Sequence, residues 1–291
     1  MVPFLQYRII YVLISCAVIV AGLFSVVRWG YTYSIDFIGG SVLDYQLKGV
    51  DEKQVSVIQS ILTQQKITAE RLEFKQQILS LRAKNIDEQQ EVRLREALAS
   101  TLKIEPVVLR FESVGPVIGA EAVRKTLFAM IIAIIGILLY MTFAFKGVHF
   151  AIAAIVALIH DFLVVIGVYS IISHFYGAQL DTLFVTALLT TMSFSVHDTI
   201  VIFDKIREYI RTEGSEDIIR LANKALTETM VRSINNSMTI VFMLLALILL
   251  GGDTIRYFSI ALMIGTITGT YSSPFVATPV LVWLEGRKKR G

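Results

Sequence analysis

The sequence predicts an α-helical polytopic membrane protein with six transmembrane helices and a small α+β, ferredoxin-like extracytoplasmic domain between helices 1 and 2. Three observations carry this reading. Of 291 residues, 55% are hydrophobic and 18% charged, where soluble domains hold about 25% charged residues. Six apolar runs approach or exceed the roughly 20 residues needed to cross about 30 Å of hydrocarbon. One long polar segment, 28–123, carries strand-like and helix-like patterns in the order β-α-β-β-α-β, that of a split βαβ fold.

The first span is Ile9 to Val27, 19 residues without a charge. No small-residue cleavage site follows it, so it reads as an uncleaved anchor. In the polar segment, Ser41 to Lys48 alternates like a strand, and Val55, Ile58, Ile61 and Leu62 form a helical stripe. Arg71 to Gln76 and Ile78 to Lys84 are short strands around a Gln-Gln turn. Asp87 to Leu102 is helical, with Val92, Leu98 and Leu102 on one face, and Val107 to Phe111 is a last strand. Leu127 to Phe145 is the second span. Val148 to Ile172, broken by His160-Asp161, is the third. Thr182 to Phe203, broken by His197-Asp198, is the fourth. Ser233 to Leu250 is the fifth. Tyr257 to Leu284 is the sixth, long enough to tilt, with Pro274 and Pro279 as kinks. The chain thus divides into 1–27 (cytoplasmic N-terminus and helix 1), 28–123 (outer domain), 124–285 (helices 2–6) and 286–291 (basic cytoplasmic tail).

Composition excludes several classes. Hydrophobicity this high excludes disorder. A net charge of +3 is too small to suggest nucleic-acid binding. The single cysteine, Cys16, permits no internal disulfide, and the four histidines show no metal-ligand spacing. G-x-x-x-x-G-K-[ST] is absent, since Arg124-Lys125-Thr126 lacks the glycine before its lysine. H-E-x-x-H and G-x-S-x-G are absent too, so no enzyme, and no ATPase in particular, is expected.

Charge orients the helices. With the N-terminus inside, the cytoplasm receives Arg8, Lys146, the loop bearing Lys205, Arg207, Arg211, Arg220, Lys224 and Arg232, and the tail Arg287-Lys288-Lys289-Arg290. The short outer loops hold only Arg256, and Arg124-Lys125 is a mild counter-signal. Both termini are therefore expected in the cytoplasm.

Ionisable groups within a span cost roughly 2.5 to more than 10 kcal/mol each. Asp161 lies mid-span in the third helix and Asp198 in the cytoplasmic half of the fourth. Arg232 falls at a depth similar to Asp198. The two are expected to pair, and with Asp161, His197 and Thr199 to pass a proton or hold a small cation. Each residue also has a structural reading: Asp161 as an interhelical hydrogen-bonding group, Arg232 as an interfacial snorkelling residue, His197 as a packing histidine. Gly39-Gly40 after Asp36, and Gly115-Pro116 with Gly119, stand at the two junctions of the outer domain. They suit hinges there, or ordinary tight turns.

These residues resemble motifs of the SecD/SecF family of protein-export membrane proteins, a branch of the RND transporter superfamily. Asp36-Phe37-Ile38-Gly39-Gly40 is similar to D-F-x-G-G, and Val114 to Gly119 to V-G-P-x-x-G. Ala157 to Asp161 is similar to A-L-x-H-D. Ser195 to Glu208, SVHDTIVIFDKIRE, resembles S-x-N-D-T-x-V-x-F-D-R-I-R-E, and Thr229 to Thr239 resembles T-L-S-R-T-x-x-T-S-x-T. His197 departs from the family's Asn, and Leu226-Thr227-Glu228 from its I-N-Q. The resemblance implies an RND-like fold and union with SecD into one twelve-span unit of the bacterial inner membrane. Such a unit works after the SecA motor and SecYEG channel and draws on ion flow to pull unfolded polypeptide outward through the lipid bilayer. It implies that Asp198 is the ion-passage carboxylate and Arg232 its span-five partner. No cofactor is implied beyond a transported proton or sodium ion. A small-molecule RND half transporter and an intramembrane aspartyl protease using Asp161 and Asp198 are the alternatives.

Overall fold

A computed structural model describes residues 3–51, 54–84, 86–145, 147–214 and 217–288. Lys146, Lys289 and Arg290, used above for orientation, lie outside them. The chain forms two compact units, Tyr33–Leu127 and the remainder, Met1–Thr32 with Phe128–Gly291. The first unit starts and ends a few residues later than the 28–123 expected. Residues 28–32 stay with the helices because Tyr31 Oη donates to the Ile166 carbonyl at 2.7 Å and the Thr32 N–H to Ser173 Oγ at 3.0 Å.

Helix α1 (Arg8–Arg28) leads to a one-turn α2 (Ile35–Ile38) and then the sheet unit. This comprises β1 (Gly40–Gln46), α3 (Val55–Gln64), β2 (Ala69–Lys75), β3 (Ile78–Ala83), α4 (Glu88–Leu102) and β4 (Val107–Val114). The strands lie in the order β2-β3-β1-β4, every neighbouring pair antiparallel. Gln76 and Gln77 both have positive φ, as a two-residue hairpin turn between β2 and β3 requires. Leu43, Tyr45, Leu79 and Leu81 from the central strands bury against Ile58, Ile61 and Leu62 of α3 and Leu94 and Leu98 of α4. The buried face of α4 is Glu91, Leu94 and Leu98, whereas Val92 and Leu102 are half-buried. Apolar periodicity cannot find this face, because a carboxylate is part of it: Tyr45 Oη donates to Glu91 Oε1 at 3.1 Å. Asp87 and Gln90 close a reciprocal capping box at the start of α4.

Among the described residues, six helices are long and apolar enough to cross a membrane. After α1 these are α5 (Pro116–Ala144), α6 (Val148–Tyr176), α7 (Thr182–Glu213), α8 (Ile218–Leu250) and a composite sixth. The sixth runs as α9 (Asp253–Ser272), a π segment (Ser273–Ala277) and α10 (Thr278–Lys288). The π segment contains Pro274, which has no N–H to give the regular ladder. α5, α7 and α8 overrun their apolar stretches. α8 begins at Ile218 instead of Ser233 because Asp217 caps it, accepting the Arg220 N–H at 3.0 Å. Ile218, Leu221, Ala222, Ala225 and Leu226 then bury one face of its charged first half. Asp198 and Arg232 consequently stand near the middle of their helices. α6, α7 and the sixth helix form the inside of the bundle, with α1, α5 and α8 around them. His174 lies in the last turn of α6, stacked on Trp29 at 4.3 Å, where a loop was expected. His149 Nδ1 meets Glu285 Oε1 at 2.8 Å.

Candidate ion-relay site within the helix bundle

Two stripes of small residues bring α7 and α9 into contact. Thr191, Ser195 and Thr199 repeat every four residues on α7, and Gly265, Gly269 and Ser273 repeat likewise from α9 into the π segment. They match in parallel register. Gly265 has no room for a Cβ against Thr191, a Cβ on Gly269 would lie 3.0 Å from that of Ser195, and Thr199 Oγ1 meets Ser273 Oγ at 2.8 Å. Small side chains let helix backbones approach in lipid, where no hydrophobic force draws them together. α1 and α6 use the same device: a Cβ on Gly22 would sit 2.6 Å from the Gly167 Cα, and Ser25 Oγ meets Ser170 Oγ at 2.9 Å.

The zipper holds two carboxylates on different faces. Asp198 is buried, and its Oδ2 accepts the Ser233 hydroxyl of α8 at 2.6 Å. Asp161 is 3% exposed. Its Oδ2 accepts hydroxyls from Ser195 of α7 and, at 2.7 Å, from Ser272 of α9. Its Oδ1 faces the Nδ1 of His160 at 2.9 Å. Among the described residues no hydrogen bond joins Asp161 to Asp198, so the two form no shared-proton dyad of the aspartyl-protease kind.

The hydrogen bond to Asp198 comes from Ser233, and Arg232 acts on the carboxylate through its charge. Arg232 is exposed on α8, and no salt bridge joins it to Asp198. Consecutive helix residues lie about 100° apart, and here Ser233 is the one whose side chain meets Asp198. His197 is also exposed, beside Asp198 but on the outer side of α7. Thr199 is buried, and its hydroxyl also bonds back to the Ser195 carbonyl at 3.1 Å. Reading the motifs by charge missed Ser195, Ser233, Ser272 and Ser273. The four-residue spacing of small residues was the available signal for two of them, Ser195 and Ser273.

The second group of motif residues meets inside the sheet unit. Asp36 sits on α2, its N–H donating to Ser34 Oγ at 3.2 Å. Gly39 and Gly40 follow at φ +73° and +118°, values that L side chains rarely adopt. A Cβ on Gly39 would come within 2.9 Å of the Pro116 Cα, and one on Gly119 within 2.9 Å of the Gly39 nitrogen. The two motifs thus cross backbone to backbone. Gly115 is different: its Cβ would meet only the tip of Ile118, at 4.0 Å.

Residues 94–287 match the family described as protein export membrane protein SecD/SecF, C-terminal. The chain is 39% identical to the protein translocase subunit SecF of Anaerolinea thermophila, over 98% of this chain and 95% of that protein. It is 34% identical to the Synechocystis subunit over 86% and 81%. A crystal structure of SecDF from Thermus thermophilus, a translocon-associated membrane protein, superposes on 98% of this chain with TM-score 0.83 and 28% identity. The chain spans 38% of that longer polypeptide. Six membrane-length helices, the motif residues in place and relatives matched from end to end place this multi-pass membrane protein in the SecD/SecF family of protein-export membrane proteins.

Proposed function

We propose that the chain pairs with SecD in the bacterial inner membrane and uses a proton or sodium gradient to assist late translocation through the Sec channel. The observation that carries this is Asp198, a carboxylate buried mid-helix in a membrane span and tied to the next helix by one hydroxyl. Such a group is costly to keep and gives an ion a place to act. When Asp198 takes up a proton its charge disappears and the charge-assisted bond from Ser233 weakens, which frees α7 to shift against α8. Thr199, one residue on, carries the movement to Ser273 and the π segment. The exposed Arg232 and His197 flank this site on the outer face of the helices, where SecD would contribute further groups. Moving one charge through 100 mV supplies about 2.3 kcal/mol, enough to bias such a two-state packing.

The unit Tyr33–Leu127 is read as the extracytoplasmic domain. Its β-α-β-β-α-β order and antiparallel β2-β3-β1-β4 sheet support the ferredoxin-like class. Gly39 with Gly40, and Gly115 with Gly119, are read as its hinges, and the positive φ of Gly39 and Gly40 supports this. SecYEG, with SecA upstream, and the unfolded polypeptide are the remaining partners, and no nucleotide is hydrolysed by this chain. The test is complementation of export in cells depleted of their own SecF. Asp198→Asn should fail to restore export while still reaching the membrane and co-purifying with SecD. Full restoration would reduce the chain to a scaffold.

A further inference from the structure

We propose that His160 and Asp161 form a second proton-binding site, separate from Asp198, with His160 Nε2 as the atom that takes up and releases the proton. Both side chains are buried, His160 at 6% exposure and Asp161 at 3%. Three groups hold the carboxylate: Ser195 and Ser272 converge on Oδ2, and His160 Nδ1 stands 2.9 Å from Oδ1. An ionised carboxylate only accepts, so Nδ1 carries a hydrogen and donates it. That leaves Nε2 as the open position of the imidazole. It is buried and has no hydrogen-bond partner among the described residues. Buried polar atoms without partners are rare in folded proteins, and each one calls for a reason.

A proton delivered by hydronium to the Nε2 lone pair forms one N–H bond as one O–H bond of the hydronium breaks, and a water molecule is released. The resulting imidazolium rests against the Asp161 carboxylate, so the uptake leaves a neutral buried pair where an isolated negative charge stood. The clasp is well placed to feel this change. It ties α6 to α7 through Ser195 and to α9 through Ser272, the residue before the π segment. The titratable groups presented by the packed helices are few. Tyr271 of α9 lies beside the imidazole, ring centroids 6.2 Å apart, and its hydroxyl donates to the Tyr11 carbonyl of α1 at 3.0 Å and meets Ser15 Oγ at 3.1 Å. Asp198 of α7 is turned to Ser233 of α8, and Glu285 of α10 is engaged by His149. A use in coupling rests on the function proposed above, whereas the existence of the site does not.

The test is nitrogen-15 NMR of histidine-labelled full chain in lipid nanodiscs from pH 5 to 8. There are four histidines, and each signal is assigned by its own substitution. The site requires two pH-exchanging forms of His160, with Nδ1 protonated in both. Asp161→Asn must abolish that Nδ1 signature, and Asp198→Asn must leave it in place. Ser272→Ala, a milder change, must displace the Nδ1 resonance even where Asp161→Asn does not fold. A single unchanging form of His160, or exchange indifferent to both clasp variants, would overturn the site. Loss of exchange in Asp198→Asn would overturn its separateness, and normal export by an Asp161→Asn chain that has lost the exchange would count against the coupling reading alone.

Discussion

Asp198 of α7 and Ser233 of α8 are joined by a 2.6 Å hydrogen bond, while Arg232, one residue away, points outward. The carboxylate of the proposed relay is thus held by a hydroxyl within the chain. A hydrogen bond to a charged group is worth about 1.5–3 kcal/mol, or roughly ten- to a hundredfold in an equilibrium. Ser233→Ala should therefore lower gradient-dependent export about tenfold with membrane level unchanged, and Ser233→Thr should retain most of it. The measurement is the export rate of a secreted reporter at matched expression.

The α7–α9 zipper predicts a position-specific packing defect. Gly265→Ala forces a methyl group into Thr191 and should destabilise the bundle by about 1–3 kcal/mol, the usual cost of overpacking. Adding Thr191→Gly should recover much of that loss. Gly136→Ala, where a Cβ meets nothing within 4 Å, should be neutral. Thermal unfolding of the detergent-solubilised protein, followed by fluorescence, reads all three.

Glycines of the two junction motifs should separate sharply. Gly39→Ala combines a left-handed φ with a 2.9 Å approach to Pro116, and Gly119→Ala pushes into the Gly39 nitrogen. Strain of this kind costs about 1–3 kcal/mol. Both variants should leave residues 33–127 more open to limited proteolysis. Gly115→Ala, whose new methyl would meet only the tip of Ile118 at ordinary contact distance, should digest like the parent.

Much of this arrangement was legible in the sequence, and the exceptions have physical causes. Six apolar runs and two in-span aspartates announce themselves because hydrocarbon penalises every exception. Helix ends did not, since the start of α8 depends on the Asp217 cap and a buried stripe in a charged segment. The Asp161 clasp was half visible: the carboxylate stood out, but Ser195 and Ser272 lie 34 and 111 residues away. Charge also suggested Arg232 as the partner of Asp198, and only helical phase decides for Ser233. The buried Glu91 of α4 escaped because its partner Tyr45 is on a distant strand.

That tyrosine gives a pH prediction. Burial, then the neighbouring Glu91 carboxylate, push the Tyr45 phenol well above its ordinary 10.0. The folded state therefore holds this proton more tightly than the unfolded chain. Its contribution is complete below about pH 10 and is lost as pH rises beyond that. The sheet unit should open at alkaline pH, seen as faster hydrogen exchange in β1 and α4. Tyr45→Phe should flatten that alkaline loss, at a cost of about 1 kcal/mol near neutrality from the lost bond to Glu91.

Reporter export measured against a stepped ion gradient tests the central claim most directly. With the parent chain the rate should climb with the gradient. With Asp198→Asn, assembled normally with SecD, it should stay flat at the level set by the upstream motor. A rate that climbs equally in both would show that Asp198 carries no ion coupling and that the buried carboxylate serves packing alone.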